Sequence, residues 1–201
     1  MILAISDTHG LLPDLDLSGI DRILIAGDIC PTNNHTEQYQ RRWLERNFAA
    51  WVEYLKLPVY LALGNHDFVD DFAAPSNLHY GTQGVIDDIL LFSWVPQFFN
   101  WAWMAEEDEL ARRLNNVLAQ GSPPIWVTHG PPYGVCDEVG GEHHGSKALL
   151  SAIELHEPDL VVCGHLHEGA ASGMVGDTII VNASILDDSY RKVRGPVVIE
   201  R

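Results

Sequence analysis

The feature that most constrains the fold of this chain is a series of short apolar runs, each ending abruptly at a polar turn. Apolar runs of this length, bounded by turn residues, are typical of buried strands. Five of them are followed at once by histidine, aspartate or asparagine, and they cover residues 1–6, 22–26, 59–63, 125–128 and 160–163. We therefore predict five buried strands that deliver polar side chains at their ends.

Segments with helical spacing lie between several of these strands. In residues 37–56, Trp43, Phe48 and Leu55 fall on one face, and Pro58 ends the pattern. Further helices are predicted at residues 106–120 and 146–156, and further short strands at residues 78–80, 85–86, 89–93, 170–175, 178–181 and 197–200. The alternation of strands and helices predicts an α/β fold, and 201 residues without an evident linker fit a single domain, 1–201.

The charge balance limits the partners of the chain. With 28 acidic and 12 basic residues, the net charge of −16 would repel nucleic acid and anionic membranes. The three cysteines are widely spaced and form no pair motif, and no apolar segment has the length of a signal peptide or a membrane span. We therefore predict a cytoplasmic protein with a small substrate, no membrane partner and no nucleic-acid polymer as its target. The oligomeric state is left open.

The polar side chains at the strand ends are of the types that bind metal ions. They are Asp7, His9, Asp28, Asn65, His129, His165 and His167, with His66 and Asp67 directly beside Asn65. In open α/β sheets, ligands bind outside the carboxyl ends of the strands, so these residues can converge. Imidazole, carboxylate and amide oxygen without thiolate suit divalent manganese, iron or zinc at an open site.

There are more candidate ligands than one catalytic ion needs. Two divalent ions about 3.5–4 Å apart, as in two-metal phosphatases and nucleases, would use the whole set if Asp28 bridged them. Such a pair suits in-line displacement at phosphorus, because it supplies hydroxide at neutral pH and neutralises the phosphate oxygens. The sequence therefore predicts a dinuclear phosphoesterase.

The order of the polar blocks also carries a family resemblance. The blocks are Asp7-x-His9, Gly27-Asp28, Gly64-Asn65-His66-Asp67, Thr128-His129-Gly130 and Gly164-His165-x-His167. In this order the chain resembles the calcineurin-like metallophosphoesterase superfamily. The local sequence around His129, His165 and Asn182-Ala183-Ser184 is similar to that of the smaller branch related to the brain 239 proteins.

This resemblance implies a fold and a division of roles. The fold would be a four-layer αββα sandwich, with two packed mixed sheets flanked by helices. One ion would be held by Asp7, His9, Asp28 and His167, and the other by Asp28, Asn65, His129 and His165. His66 would contact the phosphate and assist the leaving group, and Asp67 would orient His66.

Several residues outside the blocks have two interpretations. Core or edge packing is the simpler one for the aromatic residues of 94–103, but they could instead form a wall over the metal pocket that stacks on a base or an apolar leaving group. His143 and His144 belong either to a solvated loop or to the substrate site. Cys30 is either an inert buried thiol or an oxidation-sensitive neighbour of the metals. His35, His79 and His156 are expected at the surface or the core edge.

The leading functional hypothesis is hydrolysis of a small phosphodiester, such as a cyclic nucleotide. A metal-bridging hydroxide would be the nucleophile, with His66 assisting the leaving group. One alternative is a phosphomonoesterase or protein phosphatase, and another is a non-catalytic scaffold that binds metal and phosphate. The complete set of ligand blocks argues against the scaffold, which would need neither a bridging aspartate nor His66.

Overall fold

The strands of the protein are short and mostly buried. The computed structural model describes residues 1–119 and 121–200, so Gln120, at the end of a predicted helix, and Arg201 lie outside the described residues. The strands are β1 Ile2–Ile5, β2 Arg22–Ile25, β3 Val59–Ala62, β4 Leu78–Gly81, β5 Gln83–Ile86, β6 Ile89–Phe92, β7 Val95–Pro96, β8 Met104–Ala105, β9 Ile125–Thr128, β10 Glu138–Val139, β11 Glu142–His143, β12 Leu160–Cys163, β13 Ser172–Val175, β14 Thr178–Asn182 and β15 Val197–Ile199.

Two mixed sheets organise most of these strands. One has the order β15-β1-β2-β3-β4, in which β15 is antiparallel to β1 and the other neighbours are parallel. The second has the order β13-β14-β12-β9-β6-β5, with antiparallel pairs at both edges and a parallel centre. The five predicted strands with polar ends are β1, β2, β3, β9 and β12, and all lie in the parallel parts.

The helices are α1 Glu37–Trp43, α2 Ala49–Leu55, α3 Glu107–Leu118 and α4 Lys147–His156. The helix predicted over residues 37–56 is not a single α-helix, because a π-helical segment, Leu44–Phe48, joins α1 to α2. Lys56 ends α2 in the left-handed conformation. Ser146 caps α4 as predicted, since its Oγ accepts a hydrogen bond from the Leu149 N–H at 3.1 Å.

Three apolar clusters give the fold its layers. Ile2 and Ala4 of β1 belong to a cluster shared with β9 and β12, so this cluster lies between the two sheets. Leu3 and Ile5 belong to a second cluster that includes α2, and a third cluster joins the other sheet to α3 and α4. Because side chains alternate across a strand, each sheet packs on its partner and on helices. The predicted four-layer αββα sandwich is confirmed. Among the described residues, no helix combines the length and apolarity needed to cross a membrane.

Candidate metal centre

The nine predicted site residues come together at one edge of the sandwich. They follow directly on β1, β2, β3, β9 and β12, whose parallel arrangement brings their carboxyl ends to the same edge. We call the seven predicted metal ligands the ligand floor: Asp7, His9, Asp28, Asn65, His129, His165 and His167. Their placement fits metal binding, which remains a prediction.

The backbone turns sharply where these side chains emerge. Asp7, His9, Asp28 and His165 have positive φ values of 53°, 42°, 52° and 69°. Non-glycine residues adopt this left-handed region at a cost, and such residues cluster at functional sites. The turn lets each strand end at its polar residue while the following chain folds away from the sheet edge.

Close backbone approach explains why Gly64 and Gly164 precede predicted metal ligands. A Cβ added at Gly64 would collide with the Asp28 backbone N and carboxylate, and one added at Gly164 would collide with Asp7 and Ser6. Both aspartates are buried against these neighbouring loops. Any side chain at either glycine would therefore displace a predicted metal ligand.

Asp7 is the centre of one group of ligand atoms. The ligand atoms of Asp7, His9 and His167 lie within 4.8 Å of one another. His167 Nε2 is 3.4 Å from Asp7 Oδ1, and Asp7 also accepts hydrogen bonds from the His165 N–H at 3.0 Å and from Ser184 Oγ at 2.7 Å. Burial raises the pKa of Asp7, but the neighbouring histidines outweigh it and hold that pKa below its ordinary value. Asp7 is therefore ionised and ready to bind a cation.

Asp28 is the centre of the other group. The ligand atoms of Asp7, Asp28 and His129 also lie within 4.8 Å of one another. One carboxylate oxygen of Asp28 is 3.5 Å from His129 Nε2, and the other is 3.7 Å from His9 Nε2. Asp28 thus lies within 4 Å of a histidine of each group, whereas the residue that belongs to both groups is Asp7. Burial and the charges of Asp67 and Asp7 raise its pKa well above the ordinary range, a shift that a bound cation would oppose.

The tautomer of His129 gives an independent test of whether a cation fits. His129 Nδ1 lies 2.6 Å from the Ala26 carbonyl oxygen, which can only accept a hydrogen bond, so Nδ1 carries the proton. Burial lowers the pKa of His129, so the ring is neutral and Nε2 bears a lone pair. That lone pair lies 2.8 Å from Asn65 Oδ1, another acceptor. Acceptor atoms that converge without a donor between them fit a metal ion.

Two further imidazoles have nitrogen atoms without a partner among the described residues. These atoms are His9 Nδ1 and His165 Nε2, and both are buried. Burial, the largest effect, lowers the pKa of each ring to about 3, so both are neutral at physiological pH. Neutral imidazole is the form that binds metal. His165 belongs to neither of the two tight groups but lines the same cavity, within ring contact of His129 at 4.9 Å.

His66 is held over the ligand floor by its backbone. Its N–H donates to Asp28 Oδ1 at 2.8 Å, and its carbonyl oxygen accepts from Gln40 Nε2 at 2.6 Å. The fully buried Gln40 also accepts from the Phe68 N–H at 2.7 Å, so one amide clamps both sides of residue 67. Burial lowers the pKa of His66 to about 4, and its Nδ1 has no partner within the described chain.

Asp67 makes different contacts from those expected. Its carboxylate accepts hydrogen bonds from the backbone N–H groups of Gly64 at 2.8 Å, Cys30 at 2.9 Å and Ile29 at 3.1 Å. It therefore ties the loop after β2 to the loop after β3 and acts on His66 through the backbone rather than through the ring. Burial raises the pKa of the Cys30 thiol well above its usual value, which favours the inert interpretation of this cysteine.

A cavity of about 790 Å³ opens above the ligand floor. Phe98, Phe99 and Trp101 line one side, and we call these three residues the aromatic wall. The position of the wall agrees with the second interpretation of residues 94–103. Trp103 does not line the cavity, since it packs on the core and donates from Nε1 to the Asp67 carbonyl oxygen at 2.8 Å.

Other cavity residues carried no sequence signal or an ambiguous one. Tyr190 lies edge-on to the His9 ring at 4.7 Å and has a φ of 58°, yet it follows the last block by more than twenty positions. Asp188 and His144 also line the cavity, whereas His143 pairs with Asp137 at 2.7 Å. His35 is exposed, as expected, but its ring is 5.1 Å from Trp101.

Comparisons with known proteins agree with this site. The sequence model described as calcineurin-like phosphoesterase matches residues 1–169, which include the whole ligand floor. Metallophosphoesterase domain-containing protein 1 of Homo sapiens is 34% identical over 110 residues, covering 53% of this chain and 33% of that protein. The chain thus spans about a third of the length of that relative. The name of this relative supports the predicted branch.

Two more distant comparisons extend over most of the chain. An uncharacterized protein of Methanocaldococcus jannaschii is 32% identical over 200 residues, covering 91% of this chain and 87% of that protein. The crystal structure of phosphopantetheinyl hydrolase from Mycobacterium tuberculosis superposes with a TM-score of 0.60 at 14% identity, covering 92% of this chain and 88% of that one, and shows the shared fold. The motif order, the sandwich and the family match lead to one conclusion: this chain is a member of the calcineurin-like phosphoesterase family.

Proposed function

We propose that this protein is a metal-dependent hydrolase of phosphoric esters that prefers small phosphodiesters. The observation that carries the proposal is the convergence of unprotonated acceptor atoms at the ligand floor, above all His129 Nε2 facing Asn65 Oδ1 at 2.8 Å. Such a set of acceptors is a cation site, and two tight groups that share Asp7 suit two ions.

The residues of the floor divide between the two proposed ions. Asp7, His9, Asp28 and His167 would hold one divalent manganese, iron or zinc ion, and Asp28, Asn65, His129 and His165 would hold the other. When bound, the ions supply an activated water and neutralise charge on the phosphate oxygens. His129 keeps its tautomer because the Ala26 carbonyl accepts its Nδ1 proton, and His167 is oriented similarly by the Asp187 carbonyl at 3.1 Å.

We propose His66 as the group that protonates the leaving oxygen. Its ring lines the cavity while its backbone is fixed by Asp28 and Gln40, so the imidazole is presented at a defined position. An anionic ester beside the ring raises the pKa of His66 back toward its ordinary range, because the anion stabilises the imidazolium. The protonated ring can then donate its proton to the departing alkoxide.

The charge of the cavity supports a diester over a monoester. Among the described residues that line it, the ionisable groups are histidines, Tyr190, Asp28 and Asp188, and none is lysine or arginine. A diester carries one negative charge, whereas a monoester carries nearly two at neutral pH. The diester therefore needs less compensation from the protein. The three free cysteines fit a reducing compartment, and we propose a cytoplasmic location.

The direct test uses metal-stripped protein with manganese, iron or zinc restored singly. Bis-p-nitrophenyl phosphate and p-nitrophenyl phosphate report diester and monoester hydrolysis with the same chromophore. We expect metal-dependent release, faster from the diester, and none from Asp28→Asn, with the exposed Asp16→Asn as the matched control. Release from the monoester alone would refute the diester preference, and metal uptake without any release would favour the scaffold.

A further inference from the structure

The aromatic wall is unusual because its large apolar rings are left open to the cavity. Phe98 is 48% exposed and Phe99 is 68% exposed, and both line the cavity beside a polar centre. Exposed apolar rings grouped in a concavity indicate a binding surface rather than core packing. The cavity is therefore polar at its floor and apolar along one side.

Trp101 is the best fixed ring of the wall. It is half-buried and lies 4.4 Å from the His66 ring, 5.1 Å from His35 and 5.8 Å from Phe68, to which it is nearly parallel at 13°. Rings on several sides restrain the indole, so little conformational entropy is lost when a ligand contacts it. Its contact with His66 places the indole directly beside the proposed leaving-group position.

A second part of the cavity lining comes from a different loop and is compatible with the same ligand. His144 lines the cavity and meets the Phe98 ring edge-on at 5.8 Å, so the two loops are in contact at the cavity. Val139 and Leu166 add apolar surface, and Tyr190 adds a further ring. A flat ring entering the cavity would thus meet aromatic or apolar surface on more than one side.

The charges restrict what the ring can be attached to. Among the described lining residues there is no lysine or arginine, and the Arg194 guanidinium donates to the His167 carbonyl oxygen at 3.5 Å. Asp188 at the cavity surface would repel additional phosphate groups. Beyond the ligand floor, the cavity therefore favours an uncharged group and disfavours polyphosphates.

We propose that the aromatic wall, with Trp101 as its main platform, is a subsite for the flat aromatic ring of a singly charged phosphoric ester, either a nucleobase or an aryl group. The inference rests on the proposed function for the position of the phosphate but not for the binding of the ring. Stacking of a base on an aromatic side chain contributes about 1–3 kcal/mol, equivalent to roughly 5- to 150-fold in affinity.

The kinetic test uses the methyl esters of adenosine 5′-monophosphate, of phenyl phosphate and of ribose 5-phosphate. The adenosine and ribose esters share one dialkyl reacting centre, and the ribose ester lacks an aromatic ring. The phenyl ester has a better leaving group, so its KM is compared only between the wild type and each variant. We expect Trp101→Ala to raise KM for the adenosine ester about tenfold and to change KM for the ribose ester less than about twofold. The phenyl arm separates an aryl preference from a base preference. Tyr54→Ala, at an exposed ring on α2, is the matched control and should alter neither.

A second measurement is independent of hydrolysis. Saturation-transfer NMR on metal-stripped protein should show transfer to the base protons of adenosine, and Trp101→Ala should abolish it while Tyr54→Ala retains it. Trp101→Leu, which fills space without a π face, should behave like Trp101→Ala and serves if the alanine variant does not fold. If no ester is hydrolysed but adenosine binding depends on Trp101, the proposed function fails and the subsite stands. Equal KM changes for the adenosine and ribose esters, or transfer that survives both Trp101 variants, would overturn the subsite.

Discussion

The ligand floor and the aromatic wall face the same cavity, but they are constructed differently. The floor consists of residues at strand ends that are held by hydrogen bonds to neighbouring loops, as when Asp7 accepts from the His165 N–H and Ser184. The wall consists of rings on an irregular segment between β7 and β8, with Phe98 and Phe99 substantially exposed. In the proposed enzyme, the floor therefore determines the reaction and the wall determines which ester is bound.

Removing the Asp28 carboxylate tests the floor at its centre and should have the largest effect. Asp28→Asn keeps the size of the side chain but weakens the shared ligand of both proposed ions, so we expect loss of metal uptake and of hydrolysis on every substrate. Metal content by mass spectrometry and bis-p-nitrophenyl phosphate hydrolysis give the two readouts. Asp28→Asn protein that retained both metals would contradict the bridging role.

His66 lies where the floor and the wall meet, and its loss should separate chemistry from metal binding. We expect His66→Ala to lower kcat roughly 10²- to 10⁴-fold, because it removes the proposed proton donor. Metal content should stay at the wild-type level, since no floor residue is changed. His79→Ala, at a ring stacked on Tyr60 away from the cavity, is the control. Undiminished kcat without His66 would exclude it from the reaction.

Acidification should lower the free energy of unfolding of the metal-free protein through the buried histidines of the ligand floor. His9 and His165 have folded pKa values of about 3, below the ordinary 6.5, so below pH 6.5 the unfolded chain binds protons that the folded protein does not. Between pH 8 and pH 5 each residue should therefore reduce the free energy of unfolding by about 2 kcal/mol. The raised pKa of Asp28 acts in the opposite direction and offsets part of this loss.

Urea unfolding of the metal-stripped protein at several pH values measures the effect. His165→Gln should reduce the pH dependence by about 2 kcal/mol between pH 8 and pH 5. His156→Gln, at the end of α4, is the control. A free energy of unfolding that stays constant from pH 8 to pH 5 would show that the floor histidines are not held neutral.

A substitution at Gln40 tests the hydrogen bonds that hold His66 between the floor and the wall, and it should have the smallest effect. Gln40→Met keeps the volume but removes the hydrogen bonds to the His66 carbonyl and the Phe68 N–H, so we expect kcat to fall about tenfold through displacement of His66. KM and metal content should change little. Gln38→Met, exposed on the same helix, is the matched control. A fall in thermal stability with kcat unchanged would show that Gln40 supports the fold without positioning His66.

The same contrast explains what the sequence could predict. The ligand floor could be predicted because each ligand follows a short apolar strand, and parallel strands bring their ends to one edge of the sheet. The contacts of Asp67 could not be predicted, because its partners, the N–H groups of Ile29 and Cys30, are backbone groups that leave no sequence pattern.

The sequence suggested an aromatic wall but not which of its residues would line the cavity. Trp101 and Trp103 look equivalent in the sequence, yet Trp101 lines the cavity and Trp103 packs on the core. Their directions depend on contacts formed only in the folded chain, those of Trp101 with His66 and Phe68 and that of Trp103 with the Asp67 carbonyl oxygen. Tyr190 and His144 reach the site through long-range loop packing, which no local pattern encodes. By contrast, the four-layer arrangement was implied by the family resemblance, and the central strands, which are buried on both faces, agree with it.

The π-helical segment between α1 and α2 bears on where the chain can accept insertions and deletions. Such a segment is an α-helical turn that has taken up one extra residue with little change in the angular phase of α1 relative to α2. Deleting one residue from Leu44–Phe48 would restore regular winding and keep this phase, whereas deleting one residue from the first turn of α2 would rotate α1 by about 100° relative to the rest of α2. With Val52 and Leu55 held in the core, Gln40 would then turn away from His66. Insertions and deletions in this helix are therefore constrained by the active-site loop, although the segment itself lies outside it.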